Sequence, residues 1–277
     1  MNKGQEFWEL VKKSTGFGPN WDNINHITKI DPEKGLSSSD LEYLEGTDAV
    51  MVGGSDGVTA ENTAEVLELL DDTDIPVILE PYSGEHVVGG NGKTNNFSAS
   101  DYTAVASVWN GNEENFKGKH EQFFGSELPA VKQELYNEIE SMVGDGLTGR
   151  AAKNIAGRGL DNKLLREAYI VQNPESAVAE LTEATEPVDS ETVGQIAGAV
   201  ENFFDNFDIL YIEYSGMYGD PEDVEAAAEM LEDTTLLYGG GISSEDQALE
   251  MLDSGADTVV VGDSFHEDPE EYRDTQV

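Results

Sequence analysis

The chain contains no cysteine, which excludes disulfides, thiolate-bound zinc and a thiol nucleophile. Cationic side chains are scarce: 15 Lys and Arg stand against 57 Asp and Glu, a formal net charge of −42 over 277 residues. A surface of that sign repels nucleic acid and anionic lipid headgroups, so nucleic acid is not expected as a partner. No segment approaches the ~20 apolar residues of a membrane-spanning helix. The opening MNKGQEFWELVKKSTG lacks the apolar stretch of a signal peptide, and a soluble, cytoplasmic protein without an integral membrane segment is expected. The four histidines, His26, His86, His120 and His266, show no metal-ligand spacing. His26 reads as packed structure on the strand face opposite Lys29, and no Ser–His arrangement suggests a triad.

A strong acidic excess often marks disorder, but apolar residues make up 38% of this chain and recur in compact runs. The composition therefore reads as a folded protein adapted to molar salt, where the Debye length falls to about 3 Å and self-repulsion is screened. An ordinary acidic protein is the alternative.

Short β-branched runs alternate with acidic stretches of helical period. Strands are expected at Asn25–Asp31, Asp48–Gly54, Pro76–Pro81, Tyr102–Trp109, Glu167–Gln172, Asp208–Tyr214, Thr235–Tyr238 and Asp257–Val261. Helices are expected at Glu61–Leu70, Phe123–Met142, Ser190–Phe204, Pro221–Leu231 and Ser244–Asp253. This order predicts a parallel sheet, and non-alternating runs such as VVV and VIL suit strands buried on both faces. Eight units without a break in order favour a single (β/α)8 TIM-like barrel domain over an open sheet. Its core spans about 21–265, after a polar extension at 1–20 that carries an amphipathic patch (Phe7, Trp8, Val11). Two stretches resist the scheme. Ser83–Ser100 is too rich in glycine and asparagine for a normal third helix. Residues 144–166 read as an insertion and hold Arg150, Lys153, Arg158, Lys163 and Arg166, five of the 15 basic residues.

Four constellations could carry chemistry. Gly239-Gly240-Gly241-Ile242 and Gly262-Asp263 follow the seventh and eighth strands, where barrels commonly bind phosphate through backbone N–H groups; ordinary strand-ending turns are the alternative. Lys29 and Asp31 project to one face of the first strand. If that face is the barrel mouth, Lys29 meets an anion and Asp31 is a hard oxygen ligand suited to Mg²⁺; a strand-capping salt bridge is the alternative. Tyr211, Glu213 and Ser215 also share a face, with Ile212 and Tyr214 turned to the helical layer. A carboxylate in the apolar strand DILYIEYSG is costly unless paired or functional, and desolvation raises its pKa towards that of a general base; a carboxylate bonded to Tyr and Ser is the alternative. Ser55, after Gly53-Gly54, offers a hydroxyl to a metal or diphosphate, with a plain loop as the alternative. The acidic run Asp71-Asp72-Thr73-Asp74 sits at the wrong end of its helix for the catalytic face and reads as surface.

The segments HITKIDP (His26–Pro32), DAVMVGGS (Asp48–Ser55), YIEYSG (Tyr211–Gly216), YGGGI (Tyr238–Ile242) and ADTVVVGD (Ala256–Asp263) resemble the archaeal geranylgeranylglyceryl phosphate synthase family. VWNGN…GKH around Trp109–His120 and YIVQNPESAVA at Tyr169–Ala179 are also similar, so the likeness runs over nearly the whole chain. It implies a TIM-like barrel that joins geranylgeranyl diphosphate to the 3-hydroxyl of sn-glycerol 1-phosphate with Mg²⁺, the first ether-bond step of archaeal membrane phospholipids. The family's acceptor contacts fall on Lys29, on Tyr211, Ile212, Glu213, Tyr214, Ser215 and Gly216, and on Gly241, Gly262 and Asp263. Its magnesium-linked positions fall on Asp31 and Ser55, and its proton-accepting carboxylate on Glu213. It also implies an irregular segment in place of the third helix. Two departures stand out. Many members carry Asn where this chain has Asp263, whose carboxylate would repel a phosphate it faced, and the 144–166 segment is longer than expected. A different prenyl length such as C35, a sugar-phosphate isomerase or lyase on the same scaffold, and a non-catalytic binding protein remain rivals. Homodimer formation is open.

Overall fold

Eight short strands close on themselves in chain order in the computed structural model, which describes residues 18–87, 96–203 and 207–277. They are β1 (His26–Ile30), β2 (Ala49–Val52), β3 (Val77–Leu79), β4 (Tyr102–Val108), β5 (Leu164–Val171), β6 (Ile209–Glu213), β7 (Thr235–Gly239) and β8 (Thr258–Val261). Every pairing is parallel, and β1 joins both β2 and β8. All strand C-termini therefore open on one end of the barrel. The expected amphipathic patch at Phe7, Trp8 and Val11 and the end of the helix expected to reach Phe204 lie outside the described residues.

Strand alternation sorts the apolar side chains into two layers. Ile27, Met51, Ile78, Ala104, Leu165, Ile209, Leu237 and Val260 fill the barrel interior. Val50, Val52, Ile170, Leu210, Ile212, Leu236, Val259 and Val261 face outward, against Val66, Val193, Val224 and Met251 of the helical layer. The helix Ala60–Leu70 starts on a capping box between Thr59 and Asn62, and Pro221–Ala228 starts on Asp220. Four aspartates tie the strands in pairs. Asp48, Asp101, Asp208 and Asp257 each precede an even-numbered strand, and each carboxylate accepts a backbone N–H from the preceding odd strand, at His26, Val77, Arg166 and Leu236.

Within residues 144–166, read as an insertion, Leu147–Asn162 is a helix packed on Leu128–Val143, with Lys153 paired to Glu140 at 2.8 Å. Gly157 permits the close approach, since a Cβ there would lie 2.5 Å from the Tyr136 hydroxyl. β5 begins at Leu164 rather than Glu167, because Arg166 extends the ladder and bonds Asp208. The Ser83–Ser100 stretch holds only the short helices Gly84–Val87 and Asn96–Ala99 among its described residues, as its composition implied. The helical path from Glu114 to Val143 is interrupted by two wide π-type turns, Glu114–Gly118 and Phe123–Glu127. Such turns are rare and are frequent at functional sites.

Candidate active site at the strand C-termini

The strand ends surround a cleft of about 1420 Å³, its open mouth included. Lys29, Asp31, Ser55, Tyr211, Glu213, Ser215, Gly241, Gly262 and Asp263 all line it, so nine of the residues singled out from sequence converge. Ile212, Tyr214 and Gly216 do not line it. The side chains of Ile212 and Tyr214 face the helical layer, where the Tyr214 hydroxyl donates to Asp223 and braces the turn after β6.

Glu213 ends β6, is 5% exposed, and accepts the Ser215 amide on Oε1 at 2.9 Å. Its Oε2 has no hydrogen-bond partner. Burial pushes its pKa up to about 7, with Glu80 adding to the shift, while Lys29 and Ser215 pull against it. That value suits a base working near neutrality.

Lys29 sits inside the barrel, 2.6 Å from Glu80 Oε2 and 5.3 Å from the Tyr211 ring centroid. Burial alone would lower its pKa, but Glu80, Tyr211 and Glu213 outweigh it and hold the ammonium well above its ordinary value. The site thus keeps a permanent cation next to its base.

At the rim, Asp31 Oδ1 accepts the Glu33 amide, and the Asp31 amide donates to His266 Nε2 at 3.0 Å. The β2 turn presses against this carboxylate: a Cβ on Gly54 would lie 2.5 Å from Asp31 Oδ1. Gly241 has φ +58, and a Cβ there would collide with the Tyr218 amide. Gly239, Gly240 and Gly241 of this turn line the cleft. Asp263 does not leave a bare negative charge beside it, because Lys34 pairs with its carboxylate at 3.4 Å. The opposite wall is apolar, with Val105, Val108, Phe123 and Val178.

Among the described residues no three His, Asp or Glu side chains gather as a metal cluster. Asp31 and Ser55 both line the cleft and offer a carboxylate and a hydroxyl, hard oxygen donors of the kind Mg²⁺ takes beside water and substrate phosphates.

Sequence reasoning missed Glu80, Glu167, Lys34, Lys119 and His266. Glu80 and Glu167 bear the signal that singled out Glu213, a carboxylate within an apolar strand run (PVILEP and EAYIVQ). His26 is packed structure as read, fully buried between Thr47 and Thr275.

A closed barrel with glycine turns at its mouth, a half-buried cation and a carboxylate poised near neutrality defines a phosphate-handling (β/α)8 barrel enzyme. The chain belongs to the PcrB family, which it matches over residues 19–114 and 139–277. It is 36% identical to a geranylgeranylglyceryl phosphate synthase of Methanoculleus marisnigri, over 90% of this chain and 93% of that protein. It is 35% identical to a heptaprenylglyceryl phosphate synthase of Listeria monocytogenes, over 91% of this chain and 96% of that one. In architecture it is similar to the geranylgeranylglyceryl phosphate synthase of Thermoplasma acidophilum solved with sn-glycerol-1-phosphate, at TM-score 0.62 and 20% identity over 98% and 95% of the two chains. Among the described residues no helix is long and apolar enough to cross a membrane.

Proposed function

We propose that this protein is a prenyltransferase that joins geranylgeranyl diphosphate to the 3-hydroxyl of sn-glycerol 1-phosphate, releasing diphosphate. The observation that carries the reading is Glu213: a buried carboxylate with one free oxygen, beside a half-buried lysine, in a cleft with one polar and one apolar wall. The acceptor phosphate lies against the Gly241 and Gly262 turns. The prenyl chain lies along Val105, Val108, Phe123 and Val178. The bond between prenyl C1 and diphosphate oxygen breaks, the glycerol oxygen bonds to C1, and its proton passes to Glu213. Asp31 and Ser55 would hold Mg²⁺, which supplies charge neutralisation for the departing diphosphate. Positioning and charge stabilisation carry most of the rate, because an allylic diphosphate leaves readily.

Donor length has a second reading. The two relatives named for different prenyl lengths are nearly equally similar, at 36% and 35% identity. The large Phe123 ring on the apolar wall favours the shorter chain. The test is a prenyl-transfer assay in molar KCl with C10 to C35 diphosphates, with Mg²⁺ and with chelator. The expected outcome is transfer to glycerol 1-phosphate that peaks at C20 and stops on chelation. Absence of transfer from every donor would overturn the assignment, and a peak at C35 would replace the donor.

A further inference from the structure

Beneath the cleft lies a carboxyl that the proposed reaction does not use. Glu167 stands on the interior face of β5, between Leu165 and the cleft-lining Tyr169, level with Ala106 of β4 and Ile209 of β6. It is 0% exposed, and neither of its oxygens has a hydrogen-bond partner. Glu80 Oε1 and Glu213 Oε2 are equally bare. The charged groups acting on Glu167 are Glu80 of β3 and Lys29 of β1, and it acts in turn on Tyr169 and on Tyr211 of β6. Three carboxyls, Glu80, Glu167 and Glu213, therefore act on one lysine at the base of the cleft. If all three were ionised, the interior would hold a net negative charge directly below the place where a phosphate and a diphosphate bind. Bare carboxylates only accept hydrogen bonds, so they cannot satisfy one another, whereas one protonated carboxyl can donate to its neighbour.

We propose that Glu167 is a positioning residue that carries the proton of this cluster, donates it to the bare oxygen of Glu80, and so removes one of the negative charges that Lys29 must offset beneath the phosphorylated acceptor. The burial of Glu167 and the nearby Glu80 charge both favour its neutral form, with Lys29 opposing. The role resembles that of a carboxylic acid kept neutral at neutral pH by an apolar site. It differs from that of Glu213, which must cycle between ionised and neutral forms. This inference rests on the prenyltransferase reading only for the identity of the acceptor.

The test uses the full chain in molar KCl, with Glu167→Gln and Glu167→Leu checked for a cooperative melt. Infrared difference spectra at neutral pH in a Glu213→Gln background, where Glu213 contributes no carboxyl band of its own, should show the carbonyl stretch of a protonated carboxyl, and adding Glu167→Gln should remove it. Calorimetry with sn-glycerol 1-phosphate, and with inorganic phosphate as a second probe, reads the positioning. Glu167→Leu, neutral but unable to donate, should weaken binding about tenfold or more, the size of a lost hydrogen bond to a charged group. Glu167→Gln, whose amide still donates, should bind within about threefold of wild type. At alkaline pH wild-type affinity should fall as Glu167 ionises, while the Gln variant loses that component of the fall. A carboxyl band that survives Glu167→Gln, a Gln variant as weak as Leu, or a Leu variant as tight as wild type would each overturn the proposal. A wild-type chain that binds glycerol phosphate but transfers no prenyl group would overturn the prenyltransferase reading instead and leave this one standing.

Discussion

The carboxylates on the outside of this barrel and those inside it obey different physics. Across the chain acidic side chains outnumber cations almost fourfold, 57 to 15, and nearly all of that excess lies outside. Most of them stand in solvent, and their cumulative repulsion depends on the salt around them. Inside, Glu80, Glu167 and Glu213 share Lys29 and are almost removed from water, so individual partners decide their state. The feature that dominates the composition therefore says little about the chemistry, and the chemistry depends on side chains that barely alter the composition.

The largest effect expected belongs to the outside. Lowering KCl from ~3 M to ~0.1 M lengthens the Debye length to about 10 Å and lets neighbouring carboxylates repel across the surface. Stability of only ~5–15 kcal/mol can be exhausted by many small repulsions. Cooperative melting should be lost in dilute buffer and recovered in KCl, with glycerol 1-phosphate and Mg²⁺ protecting the native state. A melting midpoint that stayed flat across the series would show that surface repulsion does not govern this fold.

Single interior changes should follow. Glu213→Gln should retain glycerol 1-phosphate binding and slow turnover by about 10²–10⁴-fold, the scale of general-base catalysis. Wild-type kcat in that variant would remove the base from Glu213. The pH profile sharpens the same point. The base must be ionised, so kcat should fall about tenfold per unit as pH drops below about 7 and level off above it. An acid limb centred near pH 4 would mean that burial does not control this group.

Smaller effects mark the edges of the contrast. Phe123→Ala removes the largest apolar ring on the cleft wall and should raise the C35-to-C20 ratio of kcat/KM about tenfold, at roughly 0.8 kcal/mol per buried methylene. A ratio is insensitive to any loss of folded protein, so an unchanged value would place the prenyl tail elsewhere. Glu65, exposed on the helix Ala60–Leu70, supplies the contrast from outside. Glu65→Gln should change stability by no more than about 0.5 kcal/mol in a molar-salt melt. A shift as large as that of an interior carboxylate would erase the distinction between the two populations.

Much of the architecture was readable because its determinants are local. Strand side chains alternate with period 2, so Lys29 with Asp31, and Tyr211 with Glu213 and Ser215, had to share a face whatever the rest of the chain did. The helix Leu147–Asn162 was not assigned from sequence because it depends on packing against Leu128–Val143, which no local pattern records. Charge meeting charge across the barrel is likewise non-local. Glu80 and Lys29 lie 51 positions apart in sequence and touch only because β1, β2 and β3 stand side by side in one register. Lys34 reaches Asp263 only because β8 returns to β1. The sequence by itself determined which residues face the interior, through backbone geometry that each strand carries alone. Barrel closure decided which of those residues meet, and how far their charges are desolvated, because contact and dielectric environment exist only after distant strands have joined.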